Sequence, residues 1–351
     1  MLIQHTGVTV HQNGQATPGY TLYATMAGNK VYLIDLGGNI VKQWETAGGS
    51  TNTCLLLPNG NLFVLERSEE PPLIKVAASG RMREYDPQGN IVWEHTDHQQ
   101  HHDARRLPNG GAVYLAWEMM DPADAAKVQG GVPGTEHHTG GIVGEVVREV
   151  NESGDIVWEW RATSLNFEKH VIHRNGNREC YGHANTVDVL PDGNYMVSLK
   201  MLNTILIIDR QTSEIVWEYQ NDALGGQHDC QLLENGNVLC FANGMFSRDL
   251  TRSSVWEIDY KTKEVVWAYK PQVNALSFFS PHVSGCQRLP SGNTLITEGA
   301  KGCIFEVTPD HDLVWEYVNP FTVHRPAFGD INWVFRSRRY APGSPEVAQY
   351  I

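Results

Sequence analysis

One short phrase recurs six times in this chain of 351 residues and constrains its fold more than any other feature. Each copy has two branched aliphatic residues followed closely by tryptophan, and usually by glutamate, as in Ile91-Val92-Trp93-Glu94. From Trp93 to Trp315 the spacing between successive tryptophans of the repeat falls from 65 to 48 residues. A repeat of about 50 residues indicates an array of supersecondary units.

The pattern inside each unit is that of β-strands. Runs of β-branched and aromatic residues end at turns rich in Asn, Asp and Gly, such as Pro58-Asn59-Gly60-Asn61. In the fourth copy, four strands fit residues 184–190, 195–199, 204–209 and 215–219. Four-stranded antiparallel sheets repeated at this period are propeller blades. The sequence therefore predicts an all-β fold, a six-bladed β-propeller of four-stranded antiparallel blades.

The first blade lacks an obvious innermost strand. Residues 8–11 could supply it, or the strand could come from the C-terminus at 331–336. We expect the C-terminal strand to complete blade one, because this closes the ring and removes a free sheet edge. Residues 1–351 then form a single propeller domain, with blades over 8–45 plus 331–340, 50–95, 101–160, 183–219, 228–269 and 282–317. Two insertions, 121–141 and 162–180, are candidates for a binding rim.

Composition narrows the class of partner. The formal net charge of −13 disfavours nucleic acid and anionic membranes, which reward basic surfaces. A small aromatic or anionic substrate stays compatible with it, since a few local cations outweigh distant charge. No leader-like or bilayer-length apolar segment is visible, so we expect a cytoplasmic protein with no membrane partner. The six cysteines form no CxxC pair, which predicts buried thiols rather than a thiolate metal site, although a Cys230–Cys240 pairing stays open.

Histidines recur where the blades begin. In a propeller the innermost strands line the central channel, and their starting ends converge on its axis. His102, His183, His228 and His282 stand at four of these starts, and His324 precedes the closing strand. Five histidines at equivalent places exceed what chance would put there, and clustered titratable groups in a cleft mark chemistry. We therefore predict a functional site at this end of the channel.

Two chemistries fit such a cluster. Imidazoles from separate strands can hold one divalent metal, such as zinc, iron or manganese, with Asp103 and Asp229 orienting them; all five histidines are then candidate ligands. Alternatively, one histidine acts as a nucleophile while the others and nearby cations hold an anion. Candidate cations for this second hypothesis are Arg105, Arg106, Lys200, Arg248 and Arg325. Arg105 and Arg106 are adjacent on a strand, so at most one reaches the channel.

Three stretches resemble the bacterial aryl sulfotransferases that use no nucleotide donor. The first runs from His183-Ala184-Asn185-Thr186-Val187-Asp188 through Val197-Ser198-Leu199-Lys200 to Ile215-Val216-Trp217. The others are His101-His102-Asp103 and Gln227-His228-Asp229, each followed by an Asn-Gly turn. The start and the end of the chain are also family-like, so the resemblance spans most of the sequence.

The resemblance implies a six-bladed propeller that moves a sulfuryl group from a phenolic sulfate ester to another phenol, without a cofactor. It implies that His228 attacks sulfur and forms a transient sulfohistidine, while His102 and His183 hold the sulfuryl oxygens or act on the phenol oxygen. Lys200 falls at or beside the position of a family arginine, where a lysine gives a point charge rather than a planar fork. We expect further substrate contacts from Asn185, Asn52, Arg325 and Arg248.

Two alternatives stay open on the sequence. One is a metal-dependent lyase, hydrolase or oxygenase with the metal held by His102, His183, His228, His282 and His324. The other is a non-catalytic propeller that serves as a binding scaffold, because a fold alone does not fix a function.

Overall fold

The computed structural model describes residues 5–246, 252–271 and 273–351. The chain forms six small antiparallel sheets arranged as a six-bladed β-propeller, which confirms the predicted fold. The strands of the first half are β1 (Gly7–His11), β2 (Tyr20–Thr25), β3 (Lys30–Ile34), β4 (Ile40–Glu45), β5 (Ser50–Leu56), β6 (Leu62–Arg67), β7 (Gly80–Tyr85), β8 (Ile91–Thr96), β9 (Gln100–Arg106), β10 (Ala112–Met119), β11 (Gly130–Val132), β12 (Val143–Val150), β13 (Ile156–Arg161), β14 (Ile172–Asn177) and β15 (Cys180–Tyr181).

The strands of the second half are β16 (Ala184–Val189), β17 (Tyr195–Leu199), β18 (Thr204–Ile208), β19 (Ile215–Gln220), β20 (His228–Leu232), β21 (Val238–Ala242), β22 (Ser254–Ile258), β23 (Val265–Tyr269), β24 (Gly285–Arg288), β25 (Thr294–Glu298), β26 (Cys303–Val307), β27 (Leu313–Val318), β28 (Val323–Arg325), β29 (Gly329–Ile331) and β30 (Val334–Tyr340). Helices among the described residues are short: α1 (Pro122–Ala125) and five 3₁₀ turns, at Ala162–Ser164, Lys200–Leu202, Asp222–Leu224, Ala275–Ser277 and Gly299–Lys301. None of the helices in the described part of the chain is long and apolar enough to cross a bilayer.

The ring closes through both ends of the chain. Strand β30 pairs antiparallel with β2, so the C-terminal segment supplies the innermost strand of blade one, as predicted. The competing segment 8–11 lies in β1, which instead pairs with β27 as a fifth, outer strand of blade six. Each chain end therefore completes a sheet whose other strands come from the opposite end of the sequence, which protects two sheet edges.

The repeated tryptophans tie neighbouring blades together. The indole N–H of Trp217 donates to the carbonyl of Tyr260 at 2.8 Å, and that of Trp267 donates to the carbonyl of Pro309 at 2.9 Å. The indole of Trp315 likewise reaches Leu36 in blade one, at 2.8 Å. Buried indoles need such a partner for their N–H. The repeat is thus explained by packing between blades rather than by chemistry.

The two insertions meet beside blades three and four. Strand β11 from the first insertion pairs parallel with β14 from the second, and β15 adds to the edge of β12. Strand β14 packs on the 3₁₀ turn Lys200–Leu202, so both insertions support one wall of the channel opening. All six cysteines are buried as free thiols, as expected.

Candidate functional site

At the start of an innermost strand, a β-bulge directs the side chains of consecutive residues to two different depths of the channel. In blade three the pairing of β9 with β10 shifts next to His102, whose φ is 49°. His183 and Asp229 have similar left-handed φ values of 53° and 54°, beside shifts in blades four and five. This conformation is strained for residues with a Cβ, at about 1–3 kcal/mol each. Strain kept at three equivalent starts indicates a functional reason.

The histidines face a cavity of about 420 Å³ at this end of the channel. Its floor is formed by buried side chains, and its opening by more exposed ones from blades one and two. The lining residues that matter below are His102, His183, Lys200, His228, His282, Arg67, Lys75, Arg325, Phe328, Trp333 and Phe335. None of the residues lining it is acidic, in a chain whose net charge is −13.

The tautomer of His228 is set by its neighbours. The amide nitrogen of Asn243 donates to the carbonyls of Ser280 and Val283, at 2.9 and 3.0 Å, so its Oδ1 turns towards the ring. That oxygen lies 2.7 Å from His228 Nδ1, and the carbonyl of Gly226 lies 3.1 Å from the same atom. Two acceptors at Nδ1 require a proton there. The unprotonated nitrogen of His228 is therefore Nε2, and no described residue hydrogen-bonds to it.

A close backbone approach holds this pair in place. Gly225 has a φ of 58°, and a Cβ added there would lie 2.5 Å from the Cα of Gly244. The two glycines lie just before His228 and just after Asn243 in sequence. A larger residue at Gly225 would push the two segments apart, which explains why glycine stands at both positions.

His102 ends a buried chain of polar groups. Its Nδ1 lies 2.7 Å from Nδ1 of His101, which stacks on Trp117 with ring centroids 4.0 Å apart. On the far side, His101 Nε2 lies 3.0 Å from a carboxylate oxygen of buried Glu145, at ion-pair distance without good hydrogen-bond direction. The carboxylate favours a proton on His101 Nε2, so His102 carries its own proton on Nδ1 and leaves Nε2 free.

His183 lies against His102, with ring centroids 4.9 Å apart, and its Nδ1 is 3.1 Å from the thiol of Cys180. Burial raises the pKa of that thiol well above its usual value, so the sulfur keeps its proton. A thiol can donate or accept, so either nitrogen of His183 can carry the proton. His183 is therefore able to present an N–H to the cavity.

The clustered histidines His102, His183 and His228 are neutral, whereas the neighbouring Lys200 carries a positive charge. Burial, followed by the positive charge of Lys200, lowers the pKa of His183 well below its ordinary value. The same two causes lower the pKa of His228 to about 3. Burial and the neighbouring histidines hold the pKa of His102 well below its ordinary value. Lys200 is itself 9% exposed, its pKa is lowered by burial, and no carboxylate of the described residues pairs with it. A buried cation without a counterion favours an anionic ligand.

The metal hypothesis rests on the same side chains. Within the described residues, no group of three or more His, Cys, Asp or Glu side chains is placed to hold a metal ion. A divalent ion would also share the cavity with Lys200 without any acidic ligand. The donors present fit an anion better than a cation.

The level below the histidines is a compact ion-pair layer, formed by Asp103, Asp229, Arg105, Arg336 and Arg338. Asp103 accepts from Arg105 at 2.6 Å and lies 3.1 Å from Arg336. Asp229 lies 2.9 Å from Arg336 and 2.5 Å from Arg338. The expectation that both aspartates orient the histidines was therefore wrong, because arginines use their carboxylates and fill the channel. Arg105 reaches this layer, whereas Arg106 turns outward to Glu84.

Comparison with protein families now adds to the geometry. Models described as arylsulfotransferase (ASST) match residues 6–222 and 129–320, which together span most of the chain. The chain belongs to the arylsulfotransferase (ASST) family. An aryl sulfotransferase-like function follows from this membership in general terms. No curated protein matches the chain significantly.

Solved structures support the fold alone. A protein of unknown function from Bacteroides caccae is 14% identical, with a TM-score of 0.56, and the match covers 92% of this chain and 99% of the other. A catalytically inactive virginiamycin B lyase from Staphylococcus aureus with quinupristin is 12% identical, with a TM-score of 0.50 and 89% and 88% coverage. At these identities the likeness says nothing about the chemistry of the ASST-like chain.

The structure brings together most of the residues expected from the ASST resemblance. His102, His183, His228 and Lys200 line one cavity, with His282 on its wall against Trp333 at a centroid distance of 4.8 Å. Arg325 also lines the cavity.

Other expected residues lie elsewhere. His324 is exposed on β28 and bonds to Asp330 at 2.8 Å, so it is not part of the histidine cluster. Asn185 is fully buried and donates to the carbonyl of Gln227 at 2.7 Å, which makes it a structural tie between blades. Arg248 and the side chain of Asn52 lie outside the described part of the structure.

The sequence reasoning missed the supports of the site: Asn243, Cys180, Glu145, Arg67, Lys75, Trp333 and Phe335. Asn243 stands in Phe241-Ala242-Asn243-Gly244, which follows the family-like stretch Gln227-His228-Asp229 and its Asn-Gly turn, and this was the available signal. Arg67 and Lys75 lie at the end of β6 and in the following connection, where no repeat pattern points to them.

Proposed function

We propose that the protein transfers a sulfuryl group from a phenolic sulfate ester to another phenol, with His228 as the nucleophile in the central cavity. The observation that carries the proposal is the fixed tautomer of His228. Asn243 and Gly226 hold its proton on Nδ1, and burial with Lys200 keeps the ring neutral, with a pKa lowered to about 3. A neutral imidazole with a free Nε2 lone pair is what attack on sulfur requires.

The first half-reaction forms a bond between His228 Nε2 and sulfur and breaks the S–O bond of the ester, so the electron pair leaves with the phenolate. The resulting sulfohistidine is cationic on the ring, and the Nδ1 proton shared with Asn243 stabilises that charge. Lys200 and an N–H of His183 face the sulfuryl oxygens, where negative charge concentrates in the transition state.

The second half-reaction needs a base for the acceptor phenol. His102 Nε2 is free to take that proton, and Glu145 stabilises the imidazolium through His101. The phenolate then attacks sulfur, the N–S bond breaks, and His228 is regenerated. His102 afterwards gives the proton to solvent or to the next departing phenolate. Phe335 lies beside both rings, at centroid distances of 6.3 Å from His102 and 6.0 Å from His228, and offers an aromatic wall for the phenol.

The experiment is sulfuryl transfer from 4-nitrophenyl sulfate to phenol, followed by release of 4-nitrophenolate and by mass detection of phenyl sulfate. His228→Ala is expected to lower kcat/KM on the order of 10⁴-fold or more, as loss of a nucleophile does. A covalent adduct on His228, found by peptide mass spectrometry after donor is added alone, would identify the intermediate.

His324→Ala is the matched control, because His324 was also a candidate from sequence but lies outside the cavity. This variant is expected to keep wild-type transfer. Absence of transfer in the wild-type protein across several aryl sulfates and phenols would contradict the proposal. Equal loss in His228→Ala and His324→Ala would do so too.

A further inference from the structure

The opening of the cavity carries two arginines that the sulfuryl group does not need. Arg67 ends β6 in blade two, and Arg325 ends β28, and both line the cavity. The side chains of Arg67 and Arg325 are more exposed than those of the cavity floor, where His102 and His228 are only 3% and 2% exposed. Lys75 lies at the same opening. We call Arg67, Arg325 and Lys75 the mouth cations.

The two arginines differ from most others because neither has an acidic partner among the described residues. Twelve arginines of the described residues lie within 4.0 Å of a carboxylate, and Arg67 and Arg325 are not among them. Arg67 and Arg325 line the same cavity, and burial first, and then the charge of Arg325, lower the pKa of Arg67. In a chain of net charge −13, two neighbouring cations without counterions need an explanation.

Aromatic rings line the cavity together with the mouth cations. Trp333 packs against His282 on one side and against Phe328 on the other, with the Trp333 and Phe328 ring centroids 5.1 Å apart. Phe328 is 62% exposed, which is unusual for a side chain of this size. The cavity thus carries Lys200 and the imidazoles on its buried floor, and the mouth cations with the exposed Phe328 at its opening.

We propose that the mouth cations bind a second anionic group, such as a carboxylate or a second sulfate, on the aromatic substrate. This inference rests on the proposed function and specifies its substrate class: phenols and phenolic sulfates that carry another negative charge away from the reacting oxygen. The guanidinium groups of Arg67 and Arg325 donate to that anion, the rings of Trp333 and Phe328 flank the aromatic body, and Lys200 meets the sulfuryl end.

Binding without turnover provides the first test. Calorimetry compares benzenesulfonate, which has one anionic group and no ester to cleave, with two dianions, 4-sulfobenzoate and 4-(2-carboxyethyl)benzenesulfonate. The dianions carry a carboxylate at two different distances from the sulfonate. At least one dianion is expected to bind about tenfold more tightly than the monoanion, as two charge-assisted contacts allow. The double variant Arg67→Gln/Arg325→Gln is expected to remove that preference and to leave benzenesulfonate affinity unchanged.

Lys127→Gln/Lys169→Gln is the matched control, because it removes two positive charges that pair with Asp124 and Glu218 outside the cavity. It is expected to keep the dianion preference. The inference is overturned if the wild-type protein binds monoanion and dianions equally, or if the arginine variant weakens all three ligands alike.

Turnover separates this inference from the proposed function. With 4-nitrophenyl sulfate as donor, kcat/KM is compared for phenol and 4-hydroxyphenylpropionate as acceptors. Transfer to phenol without preference for the carboxylated acceptor would leave the proposed function intact and overturn the second-anion inference. Arginine-dependent dianion binding without any transfer would support the inference and overturn the proposed function.

Discussion

Adjacent residues of the chain belong to two levels of the channel with opposite electrostatics. His102 lies in the neutral floor of the cavity, while Asp103 lies in the ion-pair layer below it; His228 and Asp229 are divided in the same way. In the lower level every charge named above has an opposite charge within 3.1 Å. In the upper level Lys200, Arg67 and Arg325 have none among the described residues.

This difference distinguishes the charges that stabilise the fold from those that are available to bind a ligand. Buried ion pairs with complete partners join the innermost strands of blades one, three and five. Burial raises the pKa of Asp229, but Arg336 and Arg338 outweigh burial and hold it at about 2. Lys200, the buried one of these three cations, reduces the stability of the empty protein, and such a residue is retained where an anion compensates its charge.

The largest expected effect breaks the lower level. Asp229→Asn removes the carboxylate while keeping the shape of the side chain, and so leaves Arg338 buried without its counterion and Arg336 with Asp103 alone. We expect the free energy of unfolding to fall by about 3–5 kcal/mol, which urea denaturation would measure.

Asp192→Asn is the control for this change, because Asp192 lies in an exposed turn and its cap to Asn194 can be kept by an amide. It is expected to shift stability by less than about 0.5 kcal/mol. An Asp229→Asn variant that stays fully stable but loses transfer activity would move Asp229 from the structural level to the site.

A second, smaller effect concerns the upper level. Lys200→Met keeps the length of the side chain but removes its charge, so it is expected to lower kcat/KM for aryl sulfates about 10²–10³-fold, while stability holds or rises. Lys200→Arg retains the charge and should keep more activity than Lys200→Met. A loss of stability in Lys200→Met as large as that in Asp229→Asn would show that the two levels do not differ as argued.

Much of the fold could be predicted because its signals are local and repeated. The strand pattern placed Tyr195–Leu199 as it occurs, and the cost of an open edge correctly favoured the C-terminal strand for blade one. The histidines of blades three to six were found for the same reason, since each stands at a fixed place in the repeat. The prediction for His324 was wrong because this residue lies in the β28–β29 hairpin, where sequence distance no longer measures distance to the axis.

The rest of the site depends on register and on distant backbone. A bulge beside His102 decides that Asp103 turns to Arg336 rather than to an imidazole, and a shift of one residue is invisible in the strand pattern. The role of Asn243 depends on carbonyls of Ser280 and Val283, far along the chain. Such contacts exist only once the ring has closed.

The smallest expected effect is a difference in acid sensitivity between the two levels. His228 titrates at about 3 when folded, well below the ordinary value of about 6.5 for an exposed histidine. Between these values the unfolded chain binds a proton that the folded chain does not, so stability falls as pH decreases below about 6.5. The carboxylate of Asp229 titrates at lower pH: its folded pKa is depressed, so the stability it contributes is present above about pH 3.9 and is lost as pH falls towards 2.

The effect of His228 is measured by comparing wild-type protein with His228→Gln by urea denaturation at pH 7.5, 6.5 and 5.5. The free energy of unfolding should decline less steeply with falling pH in the variant, by at most about 1.4 kcal/mol per pH unit. Identical declines would mean that His228 is not held neutral by its surroundings, and the argument for it as nucleophile would lose its electrostatic basis.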